Sequence, residues 1–330
     1  MNIQMYSVRP DEQAAIKKNA AEINATVTTV AHDFTPADIS SLKGADVLCL
    51  AQHGAIGTAE DYAKLAAIGI KHIALRITGY DIIDLKAAQA NGIKVTNVPA
   101  YSPRSVGEMT LTHAMVLLRH LNESKARMLQ GDFSWGGLEA DEIHTLTVGI
   151  IGVGKIGSAV ARLFDALGAT IIANDPIHRP ELSDILTYVD KDTLLKTADI
   201  VTVHTPLDDI THHLIDADAF AKMKNTAIFL NCARGPISDT DALIDALETK
   251  QIAAAGIDSI EDENGIFGDN LKGQDVPNPR LLKLLQMPNV SVSPHMAFYT
   301  KPAVENMVAI AFHDADVIAQ DQTSEHEVTA

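Results

Sequence analysis

Apolar positions along the chain recur with two alternating periods. In the N-terminal part, the runs 3–8 (IQMYSV), 26–30 (TVTTV), 46–51 (DVLCLA), 72–76 (HIALR) and 94–98 (KVTNV) have strand length, while 58–69 (TAEDYAKLAAIG) and 84–92 (DLKAAQANG) repeat apolar residues at helical spacing. Strands that alternate with helices predict a parallel sheet covered on both faces. The segment 101–132, YSPRSVGEMTLTHAMVLLRHLNESKARMLQGD, keeps helical periodicity from Pro103 to Gly131 and reads as one long helix joining two domains.

A second series follows. Strands are expected at 146–152 (LTVGIIG), 170–175 (TIIAND), 200–205 (IVTVHT), 227–233 (AIFLNCA), 253–258 (AAAGID) and 290–295 (VSVSPH), with helices at 154–168, 191–199, 216–224 and 239–251 between them. A final helix at 301–320 presents Val304, Met307, Val308 and Ala311 on one face, which is expected to pack back on the first domain. The fold class is therefore α/β, with two doubly wound parallel-sheet domains. A length of 330 residues, more than one core usually organises, agrees.

Composition narrows the function classes. Hydrophobic residues make up 46% of the chain, enough to fill two cores, and charged residues 21%. A formal net charge of −17 repels polyanions and argues against a nucleic-acid partner. Cys49 and Cys232 sit inside apolar runs, as buried thiols in a reducing compartment would. No leader-like start and no membrane-length apolar run is seen, so a soluble cytoplasmic protein without a membrane partner is expected.

One local stretch carries chemistry. In VGIIGVGKIGSAV, residues 148–160, a strand ending at Ile151 meets Gly152, Gly154 and Gly157, and a helix begins near Lys155. Gly152 suits a tight turn, Gly154 a close approach of backbone to a pyrophosphate, and Gly157 close packing of helix on strand. The helix N-terminus favours the phosphates through its unpaired N–H groups and dipole. The next strand ends at Asp175, about 18 residues after Gly157, where a carboxylate accepts hydrogen bonds from ribose hydroxyls and repels a 2′-phosphate. NAD is preferred over NADP, with Arg179 close enough to qualify that preference.

Three polar residues follow later strands: Arg234 in NCARGP, Glu263 in GIDSIEDENGIF and His295 in SPHMAFY. Singly, each has an ordinary reading as a surface ion-pair partner, a solvated acid or a structural histidine. Together with GVGKIG, HTP at 204–206, NVPAYSP at 97–103, GADVLCLAQ at 44–52 and MPNVSVSPHMAFYT at 287–300, they resemble the D-2-hydroxyacid dehydrogenase family, in its D-lactate and D-hydroxyisocaproate dehydrogenase branch. The resemblance covers almost the whole chain.

That resemblance implies two Rossmann-like domains, with an NAD-binding domain at 101–298 inserted into a substrate domain formed by 1–100 and 299–330. It implies that Arg234 binds the substrate carboxylate, that His295 donates a proton to the keto oxygen and that Glu263 pairs with His295. Gly152, Gly154, Lys155, Ile156, Gly157, Asp175, His204, Thr205, Pro206, Cys232 and Asp258 are the expected cofactor contacts, although His204 reads equally as a strand-end packing residue. Thr78 and Gly79 would help hold the carboxylate through their N–H groups, and Ala51, Tyr101 and Tyr299 would line the substrate pocket. No metal is expected, and a homodimer through the cofactor domain is.

The residue types suit the reaction. A guanidinium matches a carboxylate bidentately and polarises the adjacent carbonyl. Hydride transfer to a ketone develops alkoxide charge, which an imidazolium held by a carboxylate can neutralise. Two departures from the branch stand out. Ala51, before Gln52 and His53, is small where lactate-active members carry a large residue, which widens the pocket unless Met5, Tyr101, Phe298 or Tyr299 refills it. LRITGYDIID at 75–84 also differs from the usual carboxylate loop. The second function class is an NAD(H)-sensing, corepressor-like binding protein on the same scaffold, which would not need a loaded proton donor.

Overall fold

Five parallel strands, β1 (Asn2–Met5), β2 (Thr26–Thr29), β3 (Val47–Leu50), β4 (His72–Leu75) and β5 (Lys94–Thr96), form a sheet in the order β2-β1-β3-β4-β5. Helices α1 (Gln13–Glu22), α2 (Ala59–Ala67) and α3 (Leu85–Ala90) connect them. Successive residues of β3 enter opposite cores: Leu48 and Leu50 join Tyr6, Phe34, Tyr62 and Leu75 on one face, while Val47 and Cys49 join Ile3, Met5 and Ala74 on the other. The computed structural model describes residues 1–52 and 54–330; His53 lies outside the described residues.

The strand ends of this sheet are tied by a buried ion pair. Arg76 and Glu12 are both fully buried, with Arg76 Nε 3.1 Å from Glu12 Oε1, and the guanidinium also donates to the carbonyls of Tyr6, Ser7 and Cys49. Such a pair persists only when its remaining donors are satisfied, as they are here. It anchors the chain just before Thr78 and Gly79.

Seven parallel strands form a second sheet: β6 (Thr147–Ile151), β7 (Thr170–Asn174), β8 (Thr187–Tyr188), β9 (Ile200–Val203), β10 (Ile228–Asn231), β11 (Ala254–Ile257) and β12 (Val290–Val292). Their order is β12-β11-β10-β9-β6-β7-β8, so the winding reverses between β6 and β9. Helices α4 (Pro103–Leu118), α6 (Lys155–Asp165), α7 (Lys191–Thr197), α8 (Ala217–Lys222), α9 (Thr240–Glu248) and α10 (Pro279–Leu285) cover it, and α5 (Leu121–Leu129) follows α4. The last helix, α11 (Lys301–Ala319), packs on α1 and β4 through Val308, Ala311, Phe312 and Ala315, as its apolar face predicts. The chain thus divides into one unit of Met1–Ser102 with Tyr299–Ala330 and another of Pro103–Phe298.

The expected single helix through 103–131 is not formed. His120 adopts a left-handed φ of 50° between α4 and α5, and no residue of α5 is buried. The apolar stripe of α4 ends at Leu118, after which Asn122 donates its side-chain amide to the Val290 carbonyl at 3.0 Å. Beyond that point Leu121, Met128 and Leu129 face outward. Helices α1 and α10 and the short edge strand β8 are additions to the sequence reading. Among the described residues, no helix is long and apolar enough to cross a membrane.

Candidate active site

Because all seven strands are parallel, their carboxyl ends share one edge, and the register aligns Asn174, Ile151, Val203, Asn231, Ile257 and Val292 across it. Residues that follow each strand therefore collect there. The glycine turn follows β6, Asp175 follows β7, His204 to Pro206 follow β9, Cys232 and Arg234 follow β10, Asp258 to Glu263 follow β11, and His295 follows β12. Open α/β sheets bind ligands at this edge, beside the point where the winding reverses.

The glycine turn has the shape its spacing requires. Gly152 has φ 89°, and a Cβ there would lie 2.8 Å from the His204 backbone. At Gly157 a Cβ would collide with the Gly152 carbonyl oxygen, whereas at Gly154 it would meet no protein atom within 4 Å. Lys155 and Ile156 open α6, so their N–H groups belong to the unpaired first turn of the helix. Val153 between the glycines is held on both sides. Its N–H donates to Asp175 Oδ2 at 2.6 Å, and its carbonyl accepts from Arg179 Nε. Asp175 Oδ1 also accepts the Ile177 N–H at 2.7 Å, leaving lone pairs for further donors.

The residues after β9 carry unmatched polar atoms. His204 Nε2 meets Thr202 Oγ1 at 2.9 Å, but the buried His204 Nδ1 and Thr205 Oγ1 have no partner among the described residues, and neither has Ser259 Oγ. Burial pushes the His204 imidazole down to about 3, so it is neutral. Pro206 is exposed, and its carbonyl accepts from Thr211 Oγ1 at 2.6 Å. Cys232 is buried beside Val106 and Ala297, and burial followed by the charge of Asp258 pushes its thiol well up. Buried orphan acceptors and donors next to an open glycine turn fit a polar dinucleotide, and these are the residues that would hold it.

Arg234 emerges from a turn clamped by the fully buried Asn231, whose Oδ1 accepts the Ala233 N–H at 3.0 Å and whose Nδ2 donates to the Arg234 carbonyl at 2.9 Å. Its guanidinium spends one N–H on the Ala233 carbonyl at 2.9 Å. His295 sits in a left-handed turn at φ 50° and places Nδ1 2.5 Å from Glu263 Oε1. Glu263 Oε2 accepts the Ile260 N–H at 2.8 Å. The neighbouring acids are engaged elsewhere. Glu261 meets His213 and Arg280, which hold its carboxyl low despite burial, and Asp262 meets Arg280 at 2.5 Å. Asp258, almost fully buried, accepts the N–H groups of Met296 and Ala297 and the hydroxyl of Ser293.

Residues 111–297 match the model of the D-isomer specific 2-hydroxyacid dehydrogenase NAD-binding domain. The chain belongs to the D-2-hydroxyacid dehydrogenase family. It is 37% identical to a D-2-hydroxyacid dehydrogenase (NAD(+)) of Clostridioides difficile, over 99% of this chain and 100% of that one. It is also 37% identical to an aromatic 2-oxoacid reductase of Clostridium sporogenes, over 94% of each chain. The solved structure of a D-lactate dehydrogenase from a Sporolactobacillus species is similar with a TM-score of 0.87 and 48% identity, over 100% of this chain and 99% of that one. This D-2-hydroxyacid dehydrogenase is accordingly an NAD-dependent enzyme.

In the other unit, Ala51 follows β3 and Gln52 pins the loop by exchanging hydrogen bonds with the Phe34 backbone. Thr78 follows β4, donating its hydroxyl to the Val98 carbonyl at 2.8 Å and accepting at its own carbonyl from Asn97 Nδ2 at 2.6 Å; Gly79 comes next. The Tyr101 carbonyl accepts from Asn306 at 2.7 Å, and the half-exposed Tyr299 ring lies 5.5 Å from the Arg9 guanidinium. Met5 is committed to the core.

Sequence reasoning missed Asn231, Arg76 and the Asp258–Ser293 contact, whose signals lie in long-range pairing. His212, His213 and Glu261 bring ligand atoms within 4.8 Å of one another. The two rings stack 4.0 Å apart at 25°, so their planes meet only several ångströms beyond the ~2 Å reach of a metal–nitrogen bond, and Arg280 neutralises the carboxylate.

Proposed function

We propose that this dehydrogenase reduces 2-oxo acids to D-2-hydroxy acids with NADH, with Arg234, His295 and Glu263 as the residues that perform the reaction. The observation that carries this reading is the His295–Glu263 pair, 2.5 Å apart on the strand edge that also bears Arg234 and the glycine turn. When bound, the reduced nicotinamide supplies the hydride. Arg234 grips the substrate carboxylate with a pair of parallel N–H groups, which fixes the orientation of the neighbouring carbonyl. With Nδ1 committed to Glu263, His295 delivers its proton from Nε2 to the carbonyl oxygen as negative charge develops there. In the reverse direction, neutral His295 accepts the hydroxyl proton.

Asp175 is assigned to the ribose hydroxyls, Gly152 to Gly157 to the pyrophosphate, and His204, Thr205, Pro206, Cys232 and Asp258 to the remainder of the cofactor. Ala51, Thr78, Gly79, Tyr101 and Tyr299 are assigned to the substrate. The small Ala51 favours acceptance of branched or aromatic side chains, a reading supported by a relative named as an aromatic 2-oxoacid reductase. A homodimer is favoured by the exposed Leu121, Met128, Leu129, Phe133 and Trp135, an apolar set grouped in one segment of the second unit. Two free, buried cysteines favour a reducing, cytoplasmic location.

The test is kcat/KM with NADH over pyruvate, 2-oxoisocaproate, phenylpyruvate and 2-oxoglutarate. Turnover to the D product with at least one of them is expected. NADH binding without turnover across the panel would overturn this reading and favour a cofactor-sensing protein.

A further inference from the structure

A buried histidine on α4 is linked by hydrogen bonds, through Ser293 and Asp258, to the backbone of the turn that carries His295. His113 lies on α4 and is 3% exposed. Its Nδ1 is 2.8 Å from Ser291 Oγ and its Nε2 is 2.9 Å from Ser293 Oγ, both on or just after β12. Ser293 Oγ in turn meets Asp258 Oδ1 at 2.5 Å. Asp258 grips the turn that carries His295: its carboxylate accepts the N–H groups of Met296 at 3.0 Å and Ala297 at 2.9 Å, and its carbonyl accepts the His295 N–H at 2.7 Å. The sheet makes room for this contact, since a Cβ at Gly256 of β11 would lie 2.7 Å from His113 Cβ.

Counting protons fixes the direction of every bond. The Asp258 carboxylate, already receiving two N–H groups, is an acceptor, so the single hydroxyl proton of Ser293 goes to it. Ser293 Oγ is then left to accept, and only His113 Nε2–H can donate. Nδ1 is therefore the acceptor, and Ser291 donates to it. One neutral tautomer of His113 satisfies the whole chain. Burial, which pushes this imidazole down, keeps it neutral although the Asp258 charge opposes that shift.

We infer that His113 is a positioning residue for the reaction: by donating from Nε2 to Ser293, it aims the Ser293 hydroxyl at Asp258 and so holds the left-handed turn that presents His295. A buried carboxylate that loses one donor turns toward another, and the turn it holds moves with it. Ser105 on the same helix adds a second hold, donating to the Ala297 carbonyl at 2.9 Å. The inference rests on the assignment of His295 as proton donor.

Two variants separate positioning from simple filling of space. In His113→Gln, a side-chain N–H can reach the place of Nε2 and preserve the bond to Ser293. His113→Asn can reach only the place of Nδ1 and preserves the bond to Ser291. The expected result is a kcat about 10-fold or more below the unmodified enzyme for His113→Asn and within about threefold for His113→Gln, with the KM for the oxo acid little changed in both and the Kd for NADH, which Asp258 is assigned to contact, raised only in His113→Asn. Ser293→Ala, a smaller change of volume than either His113 variant, should match the Asn loss, and combining it with His113→Asn should add little. An unchanged kcat in Ser293→Ala, equal effects of Asn and Gln, or multiplying losses in the double variant would overturn the inference. His295→Ala is measured beside them: if it keeps full turnover, the proton-donor assignment itself falls, whereas its loss with an unaffected Ser293→Ala removes only the role of His113.

Discussion

Glu263 turns one carboxylate oxygen to His295 Nδ1 at 2.5 Å and the other to its own loop, at the Ile260 N–H, 2.8 Å away. A carboxylate held at both oxygens cannot swing away from the imidazole, so orientation and charge are supplied together. Glu263→Gln is expected to lower kcat by about 10- to 100-fold, at or below the ~10²–10⁴-fold contribution of the acid–base group it orients, while the Kd for NADH stays within about twofold. Glu261→Gln and Asp262→Asn, whose carboxylates meet Arg280, should change kcat by less than about threefold. Steady-state kinetics of the three variants check this, and a larger loss in either control would reassign the partner of His295.

Arg234→Lys keeps the charge but loses the planar fork. The expected outcome is a KM for the oxo acid raised about 10- to 100-fold together with a lower kcat, and an unchanged Kd for NADH. Loss of NADH affinity alone would make Arg234 a cofactor residue.

As the proposed ribose-binding residue, Asp175 would act on the cofactor in two ways, through its charge and through its bond to Val153 in the glycine turn. A 2′-phosphate about 4 Å away would meet a like charge worth several kcal/mol, so kcat/KM should favour NADH over NADPH by about 100-fold or more. Asp175→Ala should narrow that ratio and also raise the KM for NADH, because the turn loses a hold. Equal kcat/KM for both cofactors in the unmodified enzyme would refute the assignment.

Ala51→Tyr tests the substrate pocket. If residue 51 meets the carbon tail, kcat/KM for phenylpyruvate should fall much more than for pyruvate, by a factor set by about 1–3 kcal/mol per excluded group. An equal effect on both substrates would remove Ala51 from the pocket.

Stability should fall in acid for a reason visible in the cores. Burial pushes His72 and His204 each down to about 3, from about 6.5 in an unfolded chain. Between these values the unfolded state binds the extra protons, so stability is present above pH ~6.5 and lost as pH falls toward ~3, at about 1.4 kcal/mol per pH unit for each histidine. Urea midpoints at neutral and mildly acid pH should show this slope, and His72→Gln should reduce it. A slope identical in the variant would show that His72 does not carry the effect.

What the sequence determined by itself was local. A strand, three glycines at 152, 154 and 157, and an Ala-rich helix leave the backbone few options, so the tight turn at Gly152 and the sheet edge beyond it were legible from spacing. The alternation of strand and helix likewise dictated two parallel sheets, because a helix between two strands carries the chain back to the edge from which the next strand runs in the same direction. Tertiary structure decided the rest. Periodicity in α4 and α5 could not show that burial stops at Leu118 and that His120 breaks the helix, since an apolar stripe does not say whether another element meets it. Three acids at 261–263 are alike in sequence, and only the arrival of Arg280 and His213 beside two of them leaves Glu263 to His295. The links from His113 through Ser293 to Asp258 join three strand and helix segments far apart in the chain. No local pattern encodes such a bond, because its partners are chosen by the packing of a helix against a finished sheet.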